Sequence, residues 1–106
     1  MVPQQMDVTV LHPAGKDVHV LVSGELDLST VGRLSDTLAN VLAQQPDLVQ
    51  VDLSAVTFFS CAAAHELWRA HQHTAIPVNV VAARPPVQRL LHIMQLQPLL
   101  AAAVAA

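Results

Sequence analysis

A serine and a cysteine stand side by side where an apolar run gives way to a helical segment. Cys61 follows Ser60, and His65 comes four residues after the cysteine. Residues four apart share a helix face, so this imidazole could activate the thiol or share a metal ion with it. A zinc site needs three or four ligands, and no second pair of ligands has a suitable spacing. We therefore expect no metal site, and we expect the six histidines to be surface or half-buried polar residues.

The thiol of Cys61 has two interpretations. A cysteine at a helix N-terminus lies at the positive end of the helix dipole, which favours the thiolate and raises its reactivity. It could then be a redox sensor or form an intermolecular disulfide. Free cysteines also pack as small apolar residues, and this sequence has no second cysteine that could resolve an oxidised one. Packing is the favoured interpretation, and the redox sensor stays a minor alternative.

Two carboxylates, Glu25 and Asp27, alternate at the end of a predicted strand. One side chain is therefore expected to face solvent while the other turns toward the following loop. An acid/base pair would need a nucleophile and a cleft beside it, and the three glycines form no phosphate-binding motif. We expect Asp27 to accept hydrogen bonds from nearby amides. The sequence predicts no catalytic residue, no cofactor and no enzymatic activity.

Composition and charge narrow the class of protein. The chain has five Lys and Arg against eight Asp and Glu, and the cations are scattered. Nucleic acids and anionic membrane surfaces require clustered cations. The single cysteine rules out an intramolecular disulfide, the first residues lack a signal-peptide pattern, and the apolar run 99–106 is too short to span a bilayer. The expectation is a cytoplasmic protein that contacts neither nucleic acid nor the membrane interior.

The positions of apolar residues predict the strands. Strands are predicted over residues 6–11, 18–24, 48–53 and 78–81. The run 48–53 is almost continuously apolar, which is typical of a central strand. Turn residues 13–16 favour a hairpin between the first two strands, and the longer connections favour parallel pairing.

Helical periodicity accounts for most of the remaining chain. Helices are predicted over residues 29–43 and 62–74, from Pro85 onward, and briefly after Pro98. A hydroxyl of Ser29 or Thr30 is expected to cap the first helix. The predicted fold is α/β, with a mixed sheet of four to five strands and about four helices packed on it. The 106 residues are expected to form one domain with a core over 6–100, a short N-terminal lead and an Ala-rich tail.

Three segments resemble the STAS domain family. The string Ser23-Gly24-Glu25-Leu26-Asp27 resembles its Gly-Glu-Leu-Asp signature, residues 49–59 resemble its third strand and exit loop, and residues 84–94 resemble its C-terminal helix. The resemblance as a whole extends from about residue 8 to residue 100. The resemblance implies a STAS fold in a bacterial anti-sigma factor antagonist, or anti-anti-sigma factor. Such a protein regulates transcription by binding an anti-sigma factor that is also a kinase, which frees a sigma factor.

The chain departs from the family where the second helix begins. The family pattern is Asp-Ser-Ser/Thr-Gly, and this sequence has Ser60-Cys61-Ala62-Ala63. The position of the phosphorylated serine corresponds to Cys61, and a thiol is no substrate for serine phosphorylation. We therefore expect the phosphorylation switch to be lost, unless Ser60 is a shifted acceptor. We expect partner binding to survive the loss of that switch.

The resemblance also implies where a partner binds and which partners are expected. The surface comprises the loop after Asp27 and the start of the second helix, and the resemblance places Asp27 near the Ser60-Cys61 loop. Its expected residues are Gly24, Glu25, Asp27, Ser29, Thr30, Phe59, Ser60, Cys61, Ala62 and His65. Adjacent Phe58 and Phe59 cannot both point inward, so one is expected to be exposed. The alternative partner is an ABC-type transport ATPase on which the domain would dock as a regulatory subunit, and the chain is expected to be a monomer or weak dimer.

Overall fold

A four-stranded mixed sheet organises the protein, whose computed structural model describes residues 6–13 and 15–101. The elements in chain order are β1 (Met6–Leu11), β2 (Asp17–Leu26), α1 (Val31–Ala43), β3 (Leu48–Phe59), α2 (Cys61–Gln72), β4 (Val78–Ala83), α3 (Pro85–Ile93) and a 3-10 helix (Gln97–Leu99). The strand order is β1-β2-β3-β4. The first pair is antiparallel and the other two pairs are parallel. The α/β prediction is confirmed, with three α-helices in the described ranges where about four helices were predicted.

The core lies between one face of the sheet and the helices. Alternate strand residues are fully buried on that face, among them Val20, Val51 and Val80. The helices contribute buried leucines to the same cluster, for example Leu34 and Leu67. Burial of each such side chain stabilises the fold by about 1.5–3 kcal/mol. The opposite face of the sheet is partly exposed, so the helices cover the sheet on one side.

Both long strands extend beyond their predicted ends. Strand β2 was predicted to end at Ser23-Gly24 and continues to Leu26, because Gly24 lies at a register shift with φ 87°. A glycine in this left-handed region allows a β-bulge, after which pairing resumes. Strand β3 was predicted to end at Leu53 and pairs with β2 as far as Phe59. The C-terminal ends of β2 and β3 therefore lie side by side, with Leu26 paired to Phe59.

The helix boundaries also need correction. Helix α1 begins at Val31, since residues before it form a turn, and α2 covers Cys61–Gln72 instead of 62–74. The predicted terminal helix is a single 3-10 turn, Gln97–Leu99. After it, Leu100 pairs with Val80 of β4 as a parallel bridge. Val104, which was expected in that helix, lies outside the described residues.

The C-terminal segment covers the outer edge of β4. The amide of Ala101 donates a 2.8 Å hydrogen bond to the carbonyl of Val80, and Leu99 is fully buried. An open strand edge presents unpaired backbone groups, and here a non-strand segment pairs with them. Across the described ranges, no helix combines the length and apolarity needed to cross a membrane.

Candidate functional site

Strands β2, β3 and β4 run parallel. The loops that follow them therefore meet at one end of the sheet, where the C-termini of these strands lie, and this end is called the site edge. The loop after β2 begins at Asp27, and β3 leads directly into Ser60. The amide of Ser60 donates a 2.9 Å hydrogen bond to the carbonyl of Leu26. That bond holds the start of α2 beside the loop after β2, so the expected closeness of Asp27 to the Ser60-Cys61 segment is present.

A single carboxylate oxygen shapes the loop after β2. Asp27 Oδ1 accepts hydrogen bonds from the Ser29 amide (2.9 Å), the Ser29 hydroxyl (2.7 Å) and the Thr30 amide (3.1 Å). The Ser29 hydroxyl is the main cause that lowers the pKa of Asp27, and the amides of Ser29 and Thr30 act in the same direction. The prediction that Asp27 binds nearby amides is confirmed. The predicted hydroxyl cap is wrong, since neither Ser29 nor Thr30 caps α1 through its side chain.

A buried hydroxyl ties this loop to the end of β2. Thr30 is only 9% exposed. Its Oγ1 donates to the carbonyl of Glu25 (2.7 Å) and accepts from the amide of Asp27 (3.0 Å). Buried backbone groups must find such partners, so Thr30 acts as an internal brace of the loop and presents little surface of its own.

The start of α2 presents the cysteine to solvent. Ser60 is the N-cap, and its Oγ accepts a hydrogen bond from the Ala63 amide at 3.3 Å. Cys61, at the first helical position, is exposed. His65 is exposed one turn later and Ala62 is half-buried, while Ala63 fills the interior. The packing interpretation of Cys61 is therefore wrong, because the small buried residues of this junction are alanines.

Two large apolar side chains are exposed at the site edge. Leu28, in the loop after β2, is 80% exposed, and Phe58, at the end of β3, is 53% exposed. One exposed phenylalanine was expected, and it is Phe58, because Phe59 is buried at 9% exposure. Phe59 therefore does not supply the surface that was assigned to it. Sequence reasoning missed Leu28, although an isolated leucine within a polar turn was the available signal.

The remaining predicted residues frame these side chains. Glu25 is exposed and lies opposite Phe58 in the β2–β3 register, and Ser29 is exposed in the loop. Gly24 is half-buried at the bulge. The result is an open surface with apolar, hydroxyl, thiol and carboxylate groups. Such a mixture suits contact with another protein.

The lowered pKa of Asp27 predicts how stability depends on pH. A folded-state pKa below the unfolded value means that the carboxylate stabilises the fold above its ordinary pKa, and that this contribution disappears as the pH falls through the folded pKa. Replacing Asp27 by asparagine keeps an acceptor oxygen but removes the charge. We expect the stability difference between wild type and Asp27→Asn to be constant above about pH 5 and to shrink as the pH falls through the ordinary pKa of 3.8 and below it.

Urea unfolding at a series of pH values measures this difference. The matched control is Asp36→Asn, which alters an exposed carboxylate on α1. A difference between wild type and Asp27→Asn that stays constant over the pH series would contradict the assigned role of the Asp27 carboxylate.

Comparison with known proteins gives consistent matches. A family model described as "Mlab, STAS domain" matches residues 10–101. The anti-sigma-F factor antagonist RsfB of Mycobacterium tuberculosis is 30% identical over 96 residues, which cover 89% of this chain and 78% of RsfB. An anti-sigma factor antagonist from Mycobacterium paratuberculosis has a crystal structure with TM-score 0.83 and 27% identity, covering 93% of this chain and 86% of that one.

A more distant structure is similar in fold alone. The anti-sigma factor antagonist SpoIIAA, in its unphosphorylated form, matches with TM-score 0.74 at 14% identity, over 90% of this chain and 86% of SpoIIAA. The mixed sheet and its helices are therefore shared well beyond recognisable sequence similarity.

Proposed function

This chain belongs to the STAS domain family, and from that premise we propose that it is an anti-sigma factor antagonist. It binds an anti-sigma factor and thereby releases a sigma factor. The observation that carries the proposal is the similarity to RsfB along 89% of the chain. A protein that shifts an equilibrium by binding needs surface and shape but no reacting groups, which agrees with the open surface at the site edge.

The proposed binding surface is built on the braced loop and the start of α2. Leu28 and Phe58 provide apolar area, and Cys61 lies at the start of α2 near the loop. Glu25, Ser29 and His65 provide polar groups around them. The backbone beneath this surface is formed by the remaining residues of the predicted site, Gly24, Asp27, Thr30, Ser60 and Ala62. We propose one STAS domain that acts as a monomer or weak dimer in the cytoplasm, without enzymatic activity.

We further propose that the partner is a kinase-like anti-sigma factor and that its kinase activity does not switch this antagonist. Cys61 has a thiol where the family has the phosphorylated serine. The neighbouring hydroxyl is poorly placed as a substitute acceptor, because Ser60 Oγ caps α2 and Ser60 is half-buried. Regulation of this antagonist would then rest on its abundance or on the affinity of the partner.

A sigma-release assay tests both parts of the proposal. The purified anti-sigma factor, bound to its sigma factor, is titrated with this chain, with and without prior incubation of the chain with kinase and ATP. We expect the wild type to release sigma factor equally in both conditions, with no mass gain. Cys61→Ser should release sigma factor at first, and should lose that ability as it gains one phosphate at residue 61.

Three outcomes would change this conclusion. A phosphate mapped to Ser60 in the wild type would place the switch one residue earlier. Equal insensitivity of Cys61→Ser to ATP would mean that residues other than the cysteine block the kinase. Failure to release sigma factor, together with binding to a transport ATPase, would replace the antagonist with the docking subunit. The curated relatives support the antagonist.

A further inference from the structure

A groove of about 500 Å³ lies between the end of β3 and the start of α3. Apolar side chains that line it include Phe58, Pro86 and Leu90. Arg84, which follows β4, also lines the groove. The groove adjoins the proposed binding surface, since Phe58 and Phe59 line it and the next residue is Ser60.

Arg84 gives this groove an uncompensated positive charge. Its side chain is exposed, and within residues 6–13 and 15–101 its guanidinium has no ion-pair or hydrogen-bond partner. Only its carbonyl is engaged, by the amides of Val87 and Gln88. The first turn of α3 contains no acidic residue. An arginine in that setting is available to a carboxylate from outside the chain.

The charges around the groove indicate where an anion can bind. Glu25 lies directly opposite Phe58 on β2, and this carboxylate is exposed. A carboxylate of a partner would be repelled by Glu25 and attracted by Arg84. The groove therefore favours a segment that combines an apolar side chain, for its apolar lining, with an acidic group near Arg84.

We propose that this groove is a second contact site for the anti-sigma factor, and that it receives a segment with a large apolar side chain next to an aspartate or glutamate. The inference rests on the proposed function and specifies the chemistry of the partner. Aromatic and arginine side chains are the ones most often found at the energetic centres of protein interfaces. Phe58 and Arg84 both line this groove, and the positive charge of Arg84 can attract the acidic group of the partner segment.

Matched pairs of surface substitutions test the site by calorimetric titration with the purified anti-sigma factor. Arg84→Glu should weaken binding about tenfold, because repulsion replaces attraction, and Phe58→Ser should weaken it about thirtyfold. The control for the first is Arg89→Glu, an exposed arginine of α3 outside the groove. The control for Phe58→Ser is Ile93→Ser, since Ile93 is a large apolar residue that is 78% exposed on α3. Both controls should bind within about twofold of wild type. Thermal melting of each variant checks that it is folded.

A peptide titration examines the groove without the anti-sigma factor. The probes are acetyl-Leu-Phe-Asp amide and its Asn counterpart, added to ¹⁵N-labelled wild type and followed by NMR. We expect the Asp peptide to shift the Val87 and Leu90 amides and the Arg84 side-chain signal, and the Asn peptide to shift them much less. Arg84→Glu should abolish the difference between the two peptides.

The two experiments separate the possible failures. Arg84→Glu decides between the two claims, because Arg84 lines the groove and is not part of the binding surface proposed above, whereas Phe58 belongs to both. If wild type binds the anti-sigma factor and Arg84→Glu matches Arg89→Glu, the groove inference is overturned and the proposed function remains. If no anti-sigma factor binds but the Asp peptide shifts the groove signals, the proposed function fails and the ligand chemistry remains. If neither probe binds, both are overturned.

Discussion

Replacing Cys61 by glutamate is expected to weaken binding to the anti-sigma factor by about 100-fold or more without destabilising the fold. The side chain is exposed at the first position of α2, beside the loop after β2. A carboxylate placed there must lose its water when a partner covers it, and an unpaired buried charge is strongly unfavourable. The folded protein itself gains, because a negative charge at a helix N-terminus stabilises it by about 0.3–1 kcal/mol.

Opposite effects on binding and stability distinguish this mechanism from simple misfolding. Calorimetric titration gives the affinity, and urea unfolding gives the stability. Cys61→Gln is the control, because glutamine has nearly the size of glutamate without its charge. This variant should bind within about tenfold of wild type. Wild-type affinity of both variants would show that the start of α2 lies outside the interface, and an equal loss of affinity in both would show that size and not charge weakens binding.

The substitution Thr30→Val is expected to lower the free energy of unfolding by about 2–3 kcal/mol. Valine matches the shape of threonine but removes the hydroxyl, which leaves the Asp27 amide and the Glu25 carbonyl without their buried partner. A buried unsatisfied polar group costs more than the hydrogen bond contributed. The loop would also lose its brace, so we expect weaker binding of the anti-sigma factor in the same variant.

Thr30→Ser is the control, because it retains the hydroxyl and loses one buried methyl group. Its cost should be about 1 kcal/mol. Chemical denaturation of the three proteins gives both differences. A valine variant as stable as the serine variant would mean that these two backbone groups find other partners, and that Thr30 does not brace the loop.

The periodicity of apolar residues predicted most of the fold, because each element buries one face. Strand β1 has the predicted bounds, and α3 begins at the predicted Pro85. The end of β3 was missed because burial stops alternating after Leu53. The end of β2 was missed, since a glycine that allows a bulge has the same sequence signature as a glycine that ends a strand. Only the pairing of β2 with β3 distinguishes the two cases, and that pairing joins residues about thirty positions apart.

The candidate site was predictable in its location but less so in its exposed residues. The family resemblance placed Asp27 beside Ser60, and the hydrogen bond from the Ser60 amide to the carbonyl of Leu26, the residue before Asp27, produces that closeness. The choice between Phe58 and Phe59 depends on alternation, and β3 loses strict alternation after Leu53, where Val56 is the next buried residue. The sequence did not predict a role for Arg84, because a single cation indicates a binding site only when the structure shows that it lines a groove.

The pairing of Leu100 with Val80 also has a consequence for truncation of the chain. Removal of residues 96–106 takes away Leu99 and Leu100, which are buried, and the hydrogen bond from the Ala101 amide to the Val80 carbonyl. The outer edge of β4 is then open, and an open strand edge can pair with another chain. We therefore expect a protein truncated after Gln95 to self-associate, which light scattering would detect.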